Sequence, residues 1–438
     1  MSKVSKGFIL SLLLLTNSVI FSQNDKITVY FNKWVDNNAS SIIDAQRVID
    51  IDDTIISYIN RAEYSIDFCV YNTSNIQIVS ALNNAYDRGI SVRYIHDNSA
   101  TNSAVSGLNS NINRISNSSS GIMHNKYLVI DIEDAQKTQL ITGSVNFTYQ
   151  NMFEDYNNLI IIQDNDIAQC YKDEFNEMWG STSLTPNASE SKFGNAKSDN
   201  TPHFFNVNGT DIEVYFSPTD NVTSKIESTI NSADYQIEFA LLYFTRSDLS
   251  SAVITKHNAG IEVKGLMEKI DEAWGSEYQT LLDNNVDVHS YLDEPGMLHH
   301  KYLIVDPNNS SSDPLVLTGS HNWSTSAETK NDENTIIIHD VFVANEFLEE
   351  FTSRYNQVTS IDEINSQILF NVLETSEHIN ISSEKVFNAS LFSSSGKLLN
   401  IYKNKLELDI NKSTFEKGLY ILQINDNKTY KSIKFIIN

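Results

Sequence analysis

Short apolar runs and amphipathic stretches alternate along most of this chain. The runs are rich in β-branched and aromatic residues, as in YSIDFCVY (64–71) and KYLIV (301–305), and their length is typical of buried strands. Between the runs, stretches such as NIQIVSALNNAYDRG (75–89) place apolar residues three or four positions apart, which predicts a helix with one buried face. The alternation of the two patterns predicts an α/β fold.

The same order of runs occurs twice. ITVYFNK (27–33) is repeated as IEVYFSP (212–218), and AEYSIDFCVY (62–71) is repeated as ADYQIEFALLY (233–243). Each copy then closes with apolar residues four positions apart, which predict one buried helix face: Ile167, Tyr171, Phe175 and Trp179 in the first copy, and Val343, Phe347, Phe351 and Tyr355 in the second. We therefore expect a duplicated domain of about 150 residues per copy.

Three further segments complete the predicted domain organisation. Residues 1–22 combine two early lysines, an apolar run and a small residue at the end, which predicts a signal peptide and a secreted or cell-surface protein. Residues 181–210 are rich in Ser, Thr, Asn and Gly, so we expect them to link the two copies, which occupy 23–180 and 211–359. From 360 to 438, short strand-like runs predict a small all-β domain.

Composition argues against several kinds of chemistry. With 31 basic and 56 acidic residues, the net charge of −25 disfavours unguided binding to nucleic acid or to anionic membranes, because the far field repels polyanions. The two cysteines, Cys69 and Cys170, cannot form a disulfide framework, and the residue that matches Cys69 in the second copy is Ala240, which favours a packing role. The sequence contains no dense cluster of metal-ligating residues, so we expect neither a metal site nor a cofactor.

The most informative part of the repeat is polar. GIMHNKYLVIDIED (121–134) and GMLHHKYLIVDPNN (296–309) both place a His two residues before a Lys, at the start of a strand-like run. Residues two apart on a strand project from the same face. We therefore expect His124 to share a site with Lys126, and His299 to share a site with Lys301.

Each copy carries a second polar motif and an aspartate near the first. A glycine precedes a hydroxyl and an amide that are again two residues apart: Gly143, Ser144 and Asn146 in the first copy, and Gly319, Ser320 and Asn322 in the second. These hydroxyls and amides are expected to join the His and Lys side chains at adjacent strand ends. Asp131 and Asp306 end the two strand-like runs with the opposite parity, so we expect them to bind backbone or neighbouring side chains.

These side chains suffice for one class of reaction. Cleavage of a phosphodiester needs a nucleophile, an acid for the leaving oxygen, and positive charge on the non-bridging oxygens. Two histidines, two lysines and the Ser and Asn donors supply all three without a metal ion. The alternative is a non-catalytic protein that binds phosphate esters in the same cleft, and the intact motifs in both copies favour the enzyme.

The paired motifs resemble those of the phospholipase D superfamily, and the resemblance covers nearly all of residues 27–358. The tract GSHNWSTSAETKNDEN (319–334) is most similar to the branch that contains Nuc-type endonucleases and mitochondrial cardiolipin hydrolase. The resemblance implies two tandem α/β domains, each a mixed sheet flanked by helices, related by a pseudo-two-fold axis and holding both halves of one site in a monomer. It also implies a metal-independent phosphodiesterase, in which one His attacks phosphorus to form a phosphohistidine and the other protonates the leaving alcohol.

One position departs from the family pattern. The family often places a carboxylate about thirty residues after each His to hold the imidazole; Glu333 fits this role in the second copy, but the matching residue in the first is Asn157. An amide oxygen accepts a hydrogen bond without stabilising an imidazolium by charge. On this basis we expect His299, supported by Glu333, to be the acid and His124 to be the nucleophile. Glu154 or Asp155 is a possible substitute for the missing carboxylate.

The C-terminal segment carries a second resemblance. SSSGKLLN (393–400) and FEKGLYILQINDNKTYKSIKFI (415–436) resemble the sorting domain of proteins exported by the type IX secretion system, which implies the secretion machinery as a partner; an ordinary β-sandwich module is the alternative. Two substrate classes stay open, phospholipid and nucleic acid. The excess of acidic residues favours phospholipid, and apolar residues near the second motif are candidates for an acyl or headgroup entrance: Tyr291, Pro295, Met297 and Trp323, although Trp323 is equally compatible with the core.

Overall fold

The computed structural model describes residues 23–47, 50–117, 121–309, 311–367, 371–375, 377–393, 397–425 and 430–437. The predicted signal peptide, 1–22, lies outside the described residues. No helix within the described ranges is long and apolar enough to cross a membrane.

The first copy forms a seven-stranded mixed sheet. Its strands are β1 (Ile27–Phe31), β2 (Ser65–Val70), β3 (Ser91–His96), β4 (Asn113–Ser116), β5 (Lys126–Ile130), β6 (Gln139–Gly143) and β7 (Asn158–Ile162). They lie in the order β1-β7-β6-β5-β2-β3-β4; β2, β3 and β4 run parallel to one another and the other neighbours are antiparallel. The helices of this copy are α1 (Ile51–Arg61), α2 (Ile76–Asp87) and α3 (Asn165–Trp179).

The second copy repeats this sheet and adds one strand. Its strands are β8 (Phe204–Val207), β9 (Thr210–Ser217), β10 (Gln236–Tyr243), β11 (Glu262–Lys269), β12 (Asp287–Ser290), β13 (Lys301–Val305), β14 (Leu315–Gly319) and β15 (Glu333–His339), in the order β12-β11-β10-β13-β14-β15-β9-β8. The helices are α4 (Val222–Ser232), α5 (Ser247–Asn258), α6 (Tyr278–Asp283), α7 (Thr325–Thr329) and α8 (Val341–Gln367). The additional strand, β8, comes from the predicted linker, which is therefore not a free tether.

A separate antiparallel sheet ends the chain, as the strand-like runs predict. It contains β16 (Asn371–Glu374), β17 (His378–Ser393), β18 (Leu398–Asn411), β19 (Gly418–Asn425) and β20 (Tyr430–Ile437). The strand order is β16-β17-β19-β20, and β18 pairs with β17. Helix α8 runs beyond 359, so the boundary expected at that residue falls inside a helix.

Aromatic side chains on α3 and α8 join the two copies through one continuous core. Tyr171 of the first copy packs edge-on against Phe216 of the second, and Phe347 of the second packs in the same way against Phe31 of the first, with 5.1 Å between ring centroids in both pairs. The predicted helix faces are buried, except that Tyr355 is partly exposed. Because large aromatic contacts dominate the energetics of such interfaces, this reciprocal packing explains why the two copies associate.

Candidate active site

Each motif loop pairs with the backbone of the opposite copy. The N–H of His124 donates to the carbonyl of Asp332 at 2.9 Å, and the N–H of His299 donates to the carbonyl of Tyr156 at 3.0 Å. Parallel bridges next to these bonds join Met123 to Asp332 and Leu298 to Tyr156. Each histidine is thus held beside the next residue of the opposite copy. For His124 that residue is Glu333, and for His299 it is Asn157.

The carboxylate of Glu333 therefore supports His124, and the expectation that it supports His299 is wrong. The Nδ1 of His124 lies 2.7 Å from Oε2 of Glu333, whereas the Nδ1 of His299 lies 2.9 Å from Oδ1 of Asn157. A carboxylate or amide oxygen only accepts, so both imidazoles donate from Nδ1 and leave Nε2 for chemistry. The support is exchanged between copies because the two motif loops dock across the domain interface.

The proposed substitutes for a first-copy carboxylate do not contact either histidine. Glu154 is exposed, and the carboxylate of Asp155 accepts hydrogen bonds from the N–H of Met297 at 3.2 Å and from the side chain of Asn151 at 2.5 Å. Asp155 of the first copy thus holds the motif loop of the second copy in place. The Nδ1 partner of His299 is the side-chain amide of Asn157.

The two motif serines lie behind the histidines, which corrects the expectation that they line the site with the lysines. Both are fully buried. Ser144 donates to Oδ1 of Asn157 at 2.9 Å, and Ser320 donates to Oε2 of Glu333 at 2.7 Å. Each hydroxyl therefore holds the group that in turn holds a histidine of the opposite copy. The second oxygen of Glu333 accepts from the amide of Asn331 at 3.0 Å, a partner that the motif spacing did not indicate.

The glycines of the second motif are required by backbone geometry. Gly143 and Gly319 have φ of +142° and +139°, a region that L side chains rarely adopt. A Cβ at these positions would meet the carbonyl oxygens of Asn158 and Asn334 at 2.4 Å and 2.3 Å. These turns at the ends of β6 and β14 direct the following serines toward β7 and β15.

The two motif aspartates bind backbone, in agreement with their strand parity. Asp131 accepts from three successive N–H groups that begin at Glu63, and Asp306 accepts from three that begin at Asp234. Because charged acceptors form strong hydrogen bonds, these contacts fix the start of β2 and of β10 beside the motif strands.

Both motif lysines reach back to their own motif loop. Nζ of Lys126 donates to the carbonyl of His124 at 2.7 Å, and Nζ of Lys301 donates to the carbonyl of His299 at 2.6 Å. The two side chains are almost fully buried. Each ammonium influences the protonation of groups in both copies, so the four motif side chains and Glu333 form one electrostatic cluster.

Burial dominates the protonation of this cluster. It lowers the pKa of His299 well below its usual value, with Lys301 adding to the effect, and it lowers the pKa of Lys126 to about 7. The pKa of His124 is also lowered, first by burial, although Glu333 opposes the shift. Burial alone would raise the pKa of Glu333, but His124 and Lys126 outweigh it and hold that pKa below its usual range. The site therefore favours neutral imidazoles, and a bound phosphate anion would favour the protonated forms.

Two amides of the second motif have an unpaired polar atom among the described residues. Asn146 and Asn322 follow the motif serines, and their side-chain oxygens are buried without a hydrogen-bond partner within the described ranges. Buried amides without partners are rare in native proteins, because leaving one unsatisfied costs about 1–3 kcal/mol. An amide oxygen only accepts, so the group that suits a phosphate oxygen is the NH2 of each side chain.

Sequence reasoning missed Tyr71, which lies directly after β2. Its ring is edge-on to the imidazole of His124 with centroids 4.9 Å apart, and Nζ of Lys126 lies 5.4 Å from the centre of the same ring. The residue in the equivalent place of the second copy is Leu242, because the N–H groups of both bond to the middle residue of the His-x-Lys motif. This difference between the two repeats is the sequence signal that could have identified Tyr71 as a site residue.

A cleft of about 580 Å³ opens beside His299. The first copy lines it with polar side chains such as Asn72 and Asn146 and with the carboxyl group of Asp155, and the second copy lines it with Leu242, Tyr243 and Met297. Lys269 is the one lysine or arginine among the described residues on its wall. Of the apolar residues expected at the entrance, Tyr291 and Trp323 are instead fully buried core, and Pro295 is exposed without lining this cleft.

One group of described residues has the composition of a metal site, and it is not part of this cluster. Asp199, His203 and Asp220 bring three ligand atoms within 4.8 Å of one another. The Nδ1 of His203 is engaged with the carbonyl of Val214 at 2.9 Å, and Asp220 accepts from the N–H of Phe216 at 2.6 Å. The catalytic candidates share no residue with this group.

The exchanged support makes the pH dependence testable. Glu333→Gln should move the acidic limb of the pH–rate profile to lower pH, because the carboxylate raises the pKa of His124 and its loss lets that pKa fall. The matched change Asn157→Asp should move the basic limb to higher pH, because a new carboxylate favours the protonated form of His299. Because the pKa of His124 is about 4 with Glu333 in place, profiles of kcat/KM from about pH 2 to about pH 10 are needed to show both shifts. An acidic limb that stays in place in Glu333→Gln would remove Glu333 from this role.

Comparison with protein families agrees with the two-copy architecture. Residues 55–179 and 226–355 match the family described as "Cardiolipin synthase, PLD-like domain". Residues 375–438 match the family described as "Secretion system C-terminal sorting domain". The first match covers both copies, and the second covers most of the terminal sheet.

Individual relatives match a shorter stretch. A mitochondrial cardiolipin hydrolase from Xenopus tropicalis is 33% identical over 123 residues, which are 27% of this chain and 56% of that protein. A phospholipase D from Rickettsia prowazekii is 35% identical over 138 residues, which are 31% of this chain and 63% of that protein. This chain thus spans about six tenths of the length of either relative.

The crystal structure of phosphatidylserine synthase from Haemophilus influenzae has a similar fold. It superposes with a TM-score of 0.52 at 14% identity and covers 79% of this chain and 90% of that chain. The coverage includes both copies, so the tandem arrangement of the two sheets recurs in that protein.

Proposed function

This chain belongs to the family of PLD-like domains, and from that premise we propose that it is a secreted, metal-independent phosphodiesterase of the phospholipase D type. It would hydrolyse phospholipid to phosphatidic acid and the headgroup alcohol through a phosphohistidine intermediate. The observation that carries the proposal is the pair of buried imidazoles, each held at Nδ1 by a residue of the opposite copy. The site contains a nucleophile, an acid and two cations, which together meet the needs of phosphodiester cleavage.

The first chemical step forms the intermediate. Nε2 of His124 attacks phosphorus, the bond from phosphorus to the headgroup oxygen breaks, and Nε2–H of His299 transfers its proton to that oxygen. Lys126 and Lys301 balance the charge on the non-bridging oxygens, with amide donors from Asn146 and Asn322. Since an anionic phosphate stabilises nearby cations, bound substrate raises the pKa of His299, which then takes from solvent the proton that this step requires.

The second step returns the enzyme to its starting state. Neutral His299 takes a proton from water while the water oxygen attacks phosphorus. The bond between phosphorus and Nε2 breaks, and its electron pair returns to His124. Phosphatidic acid leaves with both imidazoles in their original protonation states, so the cycle balances without a further co-reactant.

The role of each histidine follows from its partner. An imidazole that carries phosphate on Nε2 and a proton on Nδ1 is cationic, and a carboxylate against Nδ1 stabilises it by charge. Glu333 provides this for His124, so His124 suits the nucleophile. The amide of Asn157 leaves His299 free to lose its proton, which suits the acid. The assignment of His124 stays the same as the sequence suggested, but the reason for it is reversed.

The cleft favours a lipid over a nucleic acid. Binding a polyanion leans on several lysines or arginines, whereas the described wall beside His299 offers Lys269 together with Leu242, Tyr243 and Met297. The net charge of −25 also disfavours a polyanionic nucleic acid, as it disfavours anionic membrane surfaces. A single phosphodiester needs only the local charge of the two motif lysines.

The substrate is tested by direct competition. Purified protein in excess chelator should release headgroup alcohol from phospholipid vesicles faster than it degrades single-stranded DNA or RNA. The matched control is His124→Ala prepared in the same way. Activity that remains in this variant comes from a contaminant and is subtracted. Cleaved nucleic acid with untouched vesicles would establish the endonuclease alternative, and tight binding of phosphate esters without turnover would establish the non-catalytic one.

Export follows from the C-terminal match. The sorting-domain family covers 375–438, which indicates a secreted or cell-surface protein. We propose that the terminal sheet is read by a secretion system of type IX. We also propose that the protein acts as a monomer, since one chain supplies both halves of the site.

A further inference from the structure

A buried lysine of the predicted linker joins the two copies beside the site. The side chain of Lys197 is fully buried and makes an ion pair with Glu174 on α3. Its Nζ also lies 3.1 Å from Oδ1 of Asp332 and donates to the carbonyl of Ser217 at 2.9 Å. A buried ammonium is stable only with such partners, so the two carboxylates hold the linker in one place.

Asp332 connects this ion cluster to the first histidine. Its carbonyl accepts the N–H of His124 at 2.9 Å, and its Oδ1 also accepts the N–H of Gly194 from the linker at 2.7 Å. The next residue is Glu333, whose carboxylate lies 2.7 Å from Nδ1 of His124. The linker therefore binds Asp332, which directly precedes Glu333, the residue whose carboxylate supports His124.

The second histidine has no equivalent arrangement in the described structure. The counterpart of Asp332 is Tyr156, whose carbonyl accepts the N–H of His299 at 3.0 Å. Its ring lies 4.7 Å below the guanidinium of Arg354, and Arg354 pairs with Glu350 on the same helix at 3.3 Å. The ion cluster with a linker residue is thus specific to the side of the site that holds the carboxylate.

We propose that Lys197 is a positioning residue, which acts through Asp332 to hold the Glu333 carboxylate against Nδ1 of His124. The inference deepens the proposed phosphodiesterase and rests on it for its catalytic consequence. Ion pairs in a low-dielectric interior are strong and directional, so the cluster restricts the start of β15 to one register against the motif loop. Displacement of a catalytic group by about 1 Å can lower turnover by about a hundredfold.

The decisive variant removes the whole cluster instead of one member. Lys197→Met alone leaves two carboxylates buried without a cation and is expected to destabilise the fold. The triple variant Lys197→Met, Glu174→Gln and Asp332→Asn keeps the volumes and leaves no unpaired charge, so it should fold. Lys192→Met is the matched control, because Lys192 lies in the same linker and its exposed side chain makes an ion pair with Glu177 at 3.2 Å.

The direct readout is the proton on Nδ1 of His124. A proton shared between imidazole and carboxylate resonates far downfield in the ¹H NMR spectrum of the full chain, and its absence in His124→Asn identifies it. In the triple variant we expect this signal to move upfield and kcat to fall by about tenfold to a hundredfold with little change in KM. Lys192→Met should keep both at the wild-type values.

The outcomes separate this inference from the proposed function. An unchanged resonance in the triple variant overturns the positioning role whatever the turnover, and so does a shifted resonance with wild-type kcat. A wild-type protein without phosphodiesterase activity would refute the proposed function, whereas a shifted resonance would still support the contact from Lys197 to the Glu333–His124 pair.

Discussion

Alanine at His124 or at His299 should lower turnover by roughly a thousandfold or more, because residues that act as a unit lose most of their joint effect when either is removed. The double variant should be little worse than either single one. In the proposed mechanism, His124→Ala lacks the nucleophile, and in His299→Ala the leaving oxygen departs without a proton. Hydrolysis of phospholipid vesicles by wild type and the three variants, with melting curves for each, measures the effect.

Two further measurements on the same proteins test the mechanism. Turnover of the wild type should persist in excess chelator, and a loss of activity there would contradict the two-histidine mechanism. Acid quench with radiolabelled phosphodiester should leave label on His124, which is supported by Glu333. Label on His299 would reverse the two roles while keeping the chemistry.

Methionine in place of Lys126 or Lys301 should lower kcat/KM by about 10²–10³, the effect of removing one preorganised donor to the developing negative charge. The same substitutions should also make the fold more stable near neutral pH, where the folded protein has to accommodate a buried charge that the unfolded chain leaves in water. Burial lowers the pKa of both lysines, so the folded state disfavours their charged forms. The two buried lysines thus lower the stability of the fold while they serve the proposed reaction.

The pH dependence of stability checks this explanation for Lys126. Its pKa is about 7 in the folded protein and about 10.4 in an unfolded chain, so between these values the unfolded state holds more protons. Stability conferred by this residue should therefore rise with pH across that window, and the destabilisation should be complete below it. Denaturant unfolding should show that the advantage of Lys126→Met is largest below about pH 7 and shrinks as pH approaches about 10. A variant less stable than wild type at neutral pH would contradict the argument.

Much of the architecture could be predicted because it depends on local periodicity. Apolar residues four apart marked the buried faces of α3 and α8, and side-chain alternation placed Asp131 and Asp306 on the opposite face from the histidines. The duplication itself was visible because each run recurs in the same order. Residues that match between the copies carry the same motif, which is why the repeat predicted that His124 and His299 belong to one site.

Only the tertiary structure decided which side chains meet across the interface between the copies. Parity on a strand shows which face a residue occupies, and it carries no information about which distant segment lies opposite. The docking of α3 and α8 brings each motif loop to the opposite copy, so Glu333 supports His124, Asn157 supports His299, and the motif serines hold these partners. The ion cluster of Lys197 arises from the same docking, since its members lie far apart in the chain and meet only after burial makes their pairing strong.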